Sequence, residues 1–122
     1  MSARKTNPSV GGLTQAQANF KEVWRKIRQC VSKGDDIRNW SYDNGYTGNV
    51  SHVEQVNYDE VVFSGERTNK PRHVLRTDFE TVFEHWEQYK QGLVSRDVIT
   101  KISRNSTYIL SLFHWLENEE GK

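Results

Sequence analysis

The chain has 122 residues, enough for one domain with a modest core, and 34% of them are hydrophobic against 27% charged, a wet balance for a folded protein. Four Trp, five Tyr and five Phe offset this, because each ring buries far more surface than an average side chain, so the disordered class is excluded. The formal net charge of +1 excludes a protein that attracts nucleic acid or membrane by its overall field, and the single cysteine, Cys30, excludes a disulfide framework and a cysteine-based zinc site.

The charge is unevenly placed. Residues 1–76 carry 12 Lys/Arg and 8 Asp/Glu, whereas residues 77–122 carry 5 and 8. A basic half and an acidic half suit either an anionic partner at one end or head-to-tail association of copies.

Residues 1–12 hold Pro8 and Gly11–Gly12 without periodicity and are expected to form a flexible arm before a single domain over 13–122. No apolar run follows their charges, so no leader or membrane span is expected, and the cytoplasm is the expected compartment. A helix is predicted next, over "LTQAQANFKEVWRKIRQCVSK". Thr14 and Gln17 have capping-box spacing, Gly34 supplies a stop, and Ala16, Phe20, Val23, Trp24, Ile27 and Val31 make one apolar stripe. Lys21, Arg25 and Arg28 share another face, which reads either as a solvated surface or as a contact for phosphates.

In "NWSYDNGYTGN", Asn44-Gly45 is a turn signal, since both residues tolerate positive φ. Ile37, Trp40 and Tyr42 then begin the sheet, and Tyr46 is expected opposite Tyr42 as a cross-strand pair. Trp40, Tyr42 and Tyr46 also have the chemistry to stack on bases or to line a cleft. Further on, Val50, Val53 and Val56 recur at a spacing of three, which predicts a bulged strand. Tyr58–Ser64 reads as a second strand and His73–Arg76 as its partner, giving an antiparallel sheet of three to four strands. Arg67, Lys70, Arg72 and Arg76 place four positive charges, with His73, on the hairpin between them. Such a hairpin either lies along a nucleic-acid backbone or is an edge protected by charge.

Three helices are predicted to follow. Thr77 and Glu80 have capping-box spacing before "DFETVFEHWEQYKQ", which Gly92 closes; Phe79, Val82, Phe83, Trp86 and Tyr89 fall on its apolar side. Ser95 precedes a short helix, "RDVITKI", with Val98, Ile99 and Ile102 inward, and Asn105 or Ser106 opens the last helix, "TYILSLFHWLEN". The last two look like a helix-turn-helix in pattern, with Arg96, Lys101 and Arg104 around the turn where phosphate contacts occur. Against that use, the outward face of the last helix is Thr107, Ser111, His114 and Asn118, without a cation to read a base. Its apolar arc takes in Tyr108, Ile109, Leu112, Phe113 and Leu116 and is widened by Leu110 and Trp115, which suits a central core helix or a dimer interface.

The chain carries no G-x-S-x-G, P-loop, G-x-G-x-x-G or H-E-x-x-H pattern, so the reading leans away from an enzyme, and no cofactor or metal is expected. The expectation is an α+β domain with an N-terminal helix, a small antiparallel sheet and a helix-turn-helix-like C-terminal pair. Its leading function is that of an interaction module for nucleic acid, with Arg67, Lys70, Arg72, Arg76, Arg96, Lys101 and Arg104 on phosphates and Trp40 and Tyr46 stacking. Two other readings stand beside it. One is a self-associating protein-binding domain, a homo-oligomer joined through Tyr108, Phe113 and Trp115; the other is a ligand or catalytic pocket lined by Trp40, Tyr42, Trp86 and His85.

Overall fold

A computed structural model describes residues 15–65 and 70–120, with side chains over 19–65 and 70–118. The N-terminal arm, the Thr14–Gln17 capping pair, the Ala16 side chain and Arg67 lie outside the described residues. The order is α1 (Gln15–Cys30), β1 (Asp36–Ser41), β2 (Gly45–Val56), β3 (Glu60–Gly65), β4 (Arg72–Leu75), α2 (Arg76–Phe83), α3 (Trp86–Lys90), α4 (Arg96–Ile102) and α5 (Ser106–Trp115), ending in a π-helical turn over Leu116–Glu120. The four strands form an antiparallel meander in the order β1-β2-β3-β4. The α+β expectation therefore holds, with four strands.

The sheet is one-sided, as an antiparallel sheet covered on a single face should be. Ile37, Val53, Val61, Phe63 and Val74 are at most 2% exposed and meet Phe20, Trp24 and Ile27 of α1, Phe79 and Val82 of α2, and Ile109 through Phe113 of α5, apart from Ser111, in one core cluster. On the other face, polar side chains pair across strands: His52 with Asp36, Ser64 with Glu54 and His73 with Glu60. Two bulges reconcile the three-residue spacings with a sheet whose side chains alternate. The register shifts between Val53 and Gln55, turning Val56 to the core side of Val53, and between Arg38 and Trp40, doing the same for Trp40 and Ile37.

The β1–β2 hairpin differs in detail from the sequence expectation. Ser41 pairs with Gly45 and Trp40 with Tyr46, so Tyr42 lies in the loop and is not opposite Tyr46. Only Gly45 uses positive φ (65°); Asn44 does not, and its N–H is held instead by Ser41 Oγ at 3.2 Å. A three-residue loop closed by a glycine bulge replaces the two-residue Asn-Gly turn.

Helix ends also rearrange. The second helix begins at Arg76, one residue before Thr77, and has no side-chain cap. Its first N–H is taken by the β2–β3 turn, Arg76 N to Asp59 O at 2.7 Å, which makes a capping box at Thr77 unnecessary. The helix then breaks at Glu84–His85, where His85 N bonds Val82 O, three residues back, so α2 and α3 replace one long helix. Ser95 and Asn105 stand at N-cap positions without a side-chain capping bond. Asn105 is instead a buried bridge, accepting from Arg72 Nη1 (3.2 Å) and donating to Asp78 Oδ2 (3.3 Å).

Gly92 ends α3 in a Schellman motif, with Leu93 N bonded to Gln88 O and Gly92 N to Tyr89 O. Its φ is +75°, and a Cβ there would stand 2.7 Å from Tyr42 Oη. Gly92→Ala is expected to lower stability by roughly 1–2 kcal/mol through the left-handed backbone alone. Urea denaturation with an unchanged midpoint would show that this junction tolerates a side chain.

Candidate functional site

A groove of about 530 Å³ runs between the exposed side of α1 and the β2–β3 turn, lined by Lys21, Glu22, Trp24, Arg25, Arg28, Gln29, Tyr58 and Arg76. Helical spacing supplies one wall, because Lys21, Arg25 and Arg28 recur at four and three residues on α1. Asn57 builds the other. Its Oδ1 accepts from Asp59 N (3.0 Å) and Glu60 N (3.1 Å), and its own N–H bonds Glu60 O (3.0 Å), a side-chain-locked turn. That turn holds Tyr58 out at 58% exposure. It is tied to α1 by Trp24 Nε1, which donates to Tyr58 O at 2.9 Å.

Two guanidinium groups converge on this ring. Arg28 lies 5.1 Å and Arg76 5.2 Å from the Tyr58 centroid, and Arg76 is also 6.0 Å from that of Trp24. Neither has a carboxylate partner among the described residues. Arg25 is different, being held by Glu22 and by Gln29 Oε1 at 3.0 Å. The hydrogen bond and charge of Arg25 keep the Glu22 carboxyl below its ordinary value, so Glu22 answers Arg25 and leaves Arg28 and Arg76 uncompensated. Four cations against one carboxylate line the groove. Its chemistry is that of an anion site with an aromatic floor.

Of the cations read from the sequence, Arg72 and Arg76 stand at the two ends of β4. Arg76 is in the groove. Arg72 lies four residues back, about 13 Å along extended chain, on the same side as Val74, and bonds Asn105 just before α5. Arg96 reaches the same helix start, where Nη2 donates to Ser106 Oγ (3.2 Å) and Thr107 Oγ1 (2.5 Å) and its Nε is buried without a partner. It is half-buried and committed to the fold. Lys70, Lys101 and Arg104 are exposed.

Trp40 faces inward. Its ring stacks on His114 at 4.1 Å and meets Trp86 and Tyr89 edge-on at 6.0 and 6.1 Å, while its backbone N–H bonds Ser111 Oγ at 2.9 Å. Tyr46 is 38% exposed, beneath the Arg38 guanidinium at 4.4 Å and edge-on to His114. Tyr42 packs against Tyr89 at 6.3 Å, and Trp86 is 1% exposed. Trp40, Tyr42 and Trp86 thus pack together around Tyr89.

Phe113 is 2% exposed and belongs to the core; Tyr108, half-buried, stacks on Phe63 at 5.0 Å, and Trp115 is half-buried. Ser106 and Ile109 through Phe113 are all buried, which makes α5 a central helix of the core, with Thr107, Tyr108, His114 and Trp115 half-buried on its remaining side. Tyr58 is the residue that sequence reasoning missed. Its signal was Asn57 before it and Asp59 and Glu60 after it, a turn that reasoning from β propensity absorbed into the strand.

Comparison with protein-family models, with curated proteins and with solved structures gives no match for this chain. Among the described residues no helix is long and apolar enough to cross a membrane, and no group of three or more His, Cys, Asp or Glu could hold a metal ion.

Proposed function

We propose that this chain is a small non-enzymatic binding module of the cytoplasm that holds nucleic acid, with phosphates lying in the groove between α1 and the β2–β3 turn. The observation that carries the reading is the pair Arg28 and Arg76, two guanidinium groups sharing one exposed ring with no carboxylate among the described residues to answer them. Like charges gathered beside a half-dry aromatic surface are stabilised by an incoming anion, and a phosphate accepts from both forks at once. Arg72 at the far end of β4, with Lys70 and Arg104 exposed, extends the basic surface along the strand. Contacts of this kind give affinity and register, and little sequence selectivity.

The test is a titration of labelled single-stranded and duplex oligonucleotides at two salt concentrations. Binding is expected to strengthen steeply at low salt, since each neutralised phosphate releases counterions. Absence of binding at low salt, or affinity indifferent to salt, overturns the reading. Tyr58 separates the two forms of ligand. Tyr58→Ala is expected to weaken single-stranded binding by about 1–3 kcal/mol through lost stacking and to leave duplex binding nearly unchanged; equal losses on both would show that Tyr58 only supports the arginines.

A further inference from the structure

A second concave site lies at the β1 edge of the sheet, away from the groove. It is about 220 Å³ and lined by Asp36, Arg38, Tyr46, Ser111 and Trp115. That is below the roughly 300–1,000 Å³ of sites for drug-sized ligands, and it suits one planar fragment. The side chains are of four kinds, one of them the Ser111 hydroxyl, which already accepts from Trp40 N. Tyr46 and Trp115 supply aromatic surface. Arg38 lies over Tyr46, its centre 4.4 Å from the ring centroid, with no carboxylate partner among the described residues. Asp36 stands two residues along the same strand, on the same face because Ile37 between them points into the core. Its Oδ1 is fixed by His52 Nδ1 at 2.5 Å, which leaves Oδ2 as an acceptor. Asp36 and Arg38 do not pair with each other, so an acceptor and a forked donor stand side by side, about 7 Å apart along the strand.

We infer that this site binds a planar heterocycle whose edge carries donors next to acceptors, the pattern of a guanine base. Its N1–H and N2–H groups donate to the Asp36 carboxylate, and its O6 and N7 accept from the Arg38 fork, the commonest pairing of arginine with a base. The ring plane lies against Trp115, beside the Arg38 fork that Tyr46 supports. Adenine presents an amine where guanine has O6 and an unprotonated N1 where guanine has N1–H, so Arg38 keeps only N7 and Asp36 loses its paired donors. This selectivity is what the phosphate groove lacks, and it does not depend on that groove, because the recognised fragment carries no phosphate.

The test uses nucleosides, with the full chain observed by two-dimensional amide NMR. Guanosine is expected to shift the backbone signals of Asp36 and Arg38 and the indole N–H of Trp115. Inosine, which lacks the N2 amine, should bind more weakly, and adenosine at least about tenfold more weakly than guanosine. Asp36→Asn and Arg38→Gln should each reduce guanosine binding about tenfold or more while leaving the rest of the spectrum folded. Equal responses to guanosine and adenosine, shifts confined to other residues, or no shift up to the solubility of guanosine would each overturn the inference. The doubly substituted Arg28→Glu, Arg76→Glu protein keeps its guanosine response if the two sites are separate. Guanosine binding without oligonucleotide binding would leave this site standing and remove the groove reading; oligonucleotide binding without a guanosine response would do the reverse.

Discussion

Phe113→Ala is expected to cost about 3–5 kcal/mol of folding stability, a large part of the 5–15 kcal/mol that holds a typical domain together. Phe113 is 2% exposed, and its ring is met by Phe79 at 6.0 Å, Phe83 at 5.7 Å and Trp86 at 5.4 Å. Those rings come from α2 and α3, which are pinned at both ends: α2 by Arg76 N on Asp59 O, and α3 by Trp86 Nε1 on Glu117 Oε2 at 2.7 Å. Lys90 adds to the second tie. Burial works against its charge, but the hydrogen bonds it donates to Glu87 and Glu117 hold its ammonium above the usual lysine range. Walls fixed in this way cannot collapse into the space a truncated ring leaves, and the cavity adds to the lost burial. Urea denaturation at two protein concentrations checks this. The same fall in midpoint at both concentrations is the result of a core residue. A midpoint that rises strongly with concentration would place Phe113 in a subunit interface and return the self-association reading.

The molecule's α+β order was readable because its signals are local. The stripe Phe20, Val23, Trp24, Ile27 and Val31 repeats at helical spacing, and Val50, Val53 and Val56 announce an irregular strand. The break between α2 and α3 was not readable, because Phe79, Val82, Trp86 and Tyr89 keep a helical rhythm straight through Glu84–His85. Pattern reports which side chains are buried, and two helices in line bury the same set as one. The caps failed for a related reason. Thr77 and Asn105 have the right chemistry, but backbone from a distant turn reached Arg76 first, and Asn105 found side-chain partners on β4 and α2. The candidate site divides along the same line. Arg25, Arg28 and Lys21 were visible on one helix face and Arg76 on the hairpin. Their meeting at Tyr58 depends on a tertiary contact, Trp24 Nε1 to Tyr58 O, across 34 residues that no local rule specifies. Arg96 shows the converse, a cation placed by spacing at a phosphate-contacting turn that the fold uses for its own hydroxyls.

Reversing both arginines at once, Arg28→Glu with Arg76→Glu, is expected to weaken oligonucleotide binding at low salt by about a hundredfold or more, and to lower the salt slope by about two phosphate contacts. The size of the effect follows from what the groove contains. With Arg25 engaged by Glu22, the groove cations left to meet a phosphate are Arg28, Arg76 and Lys21, and the substitution replaces two of them with charges that repel it. The fold should tolerate the change. Arg28 is exposed, each guanidinium contributes to Tyr58 only the ~0.5–1 kcal/mol of an exposed cation–ring contact, and the backbone bond from residue 76 to Asp59 O does not depend on the side chain. An unchanged melting temperature to within a few degrees is therefore part of the expected result. Arg96→Gln serves as the opposite control: its guanidinium bonds Ser106 and Thr107, so stability should fall while the salt slope stays as it was. If the double reversal leaves binding and slope intact, the phosphates are elsewhere, and the exposed Lys101 and Arg104 beside the α4–α5 turn are where the next reversal belongs. If Arg96→Gln changes the slope as strongly as the double reversal does, the two ends of β4 act as one surface, and the ligand spans the strand from Arg76 to Arg72.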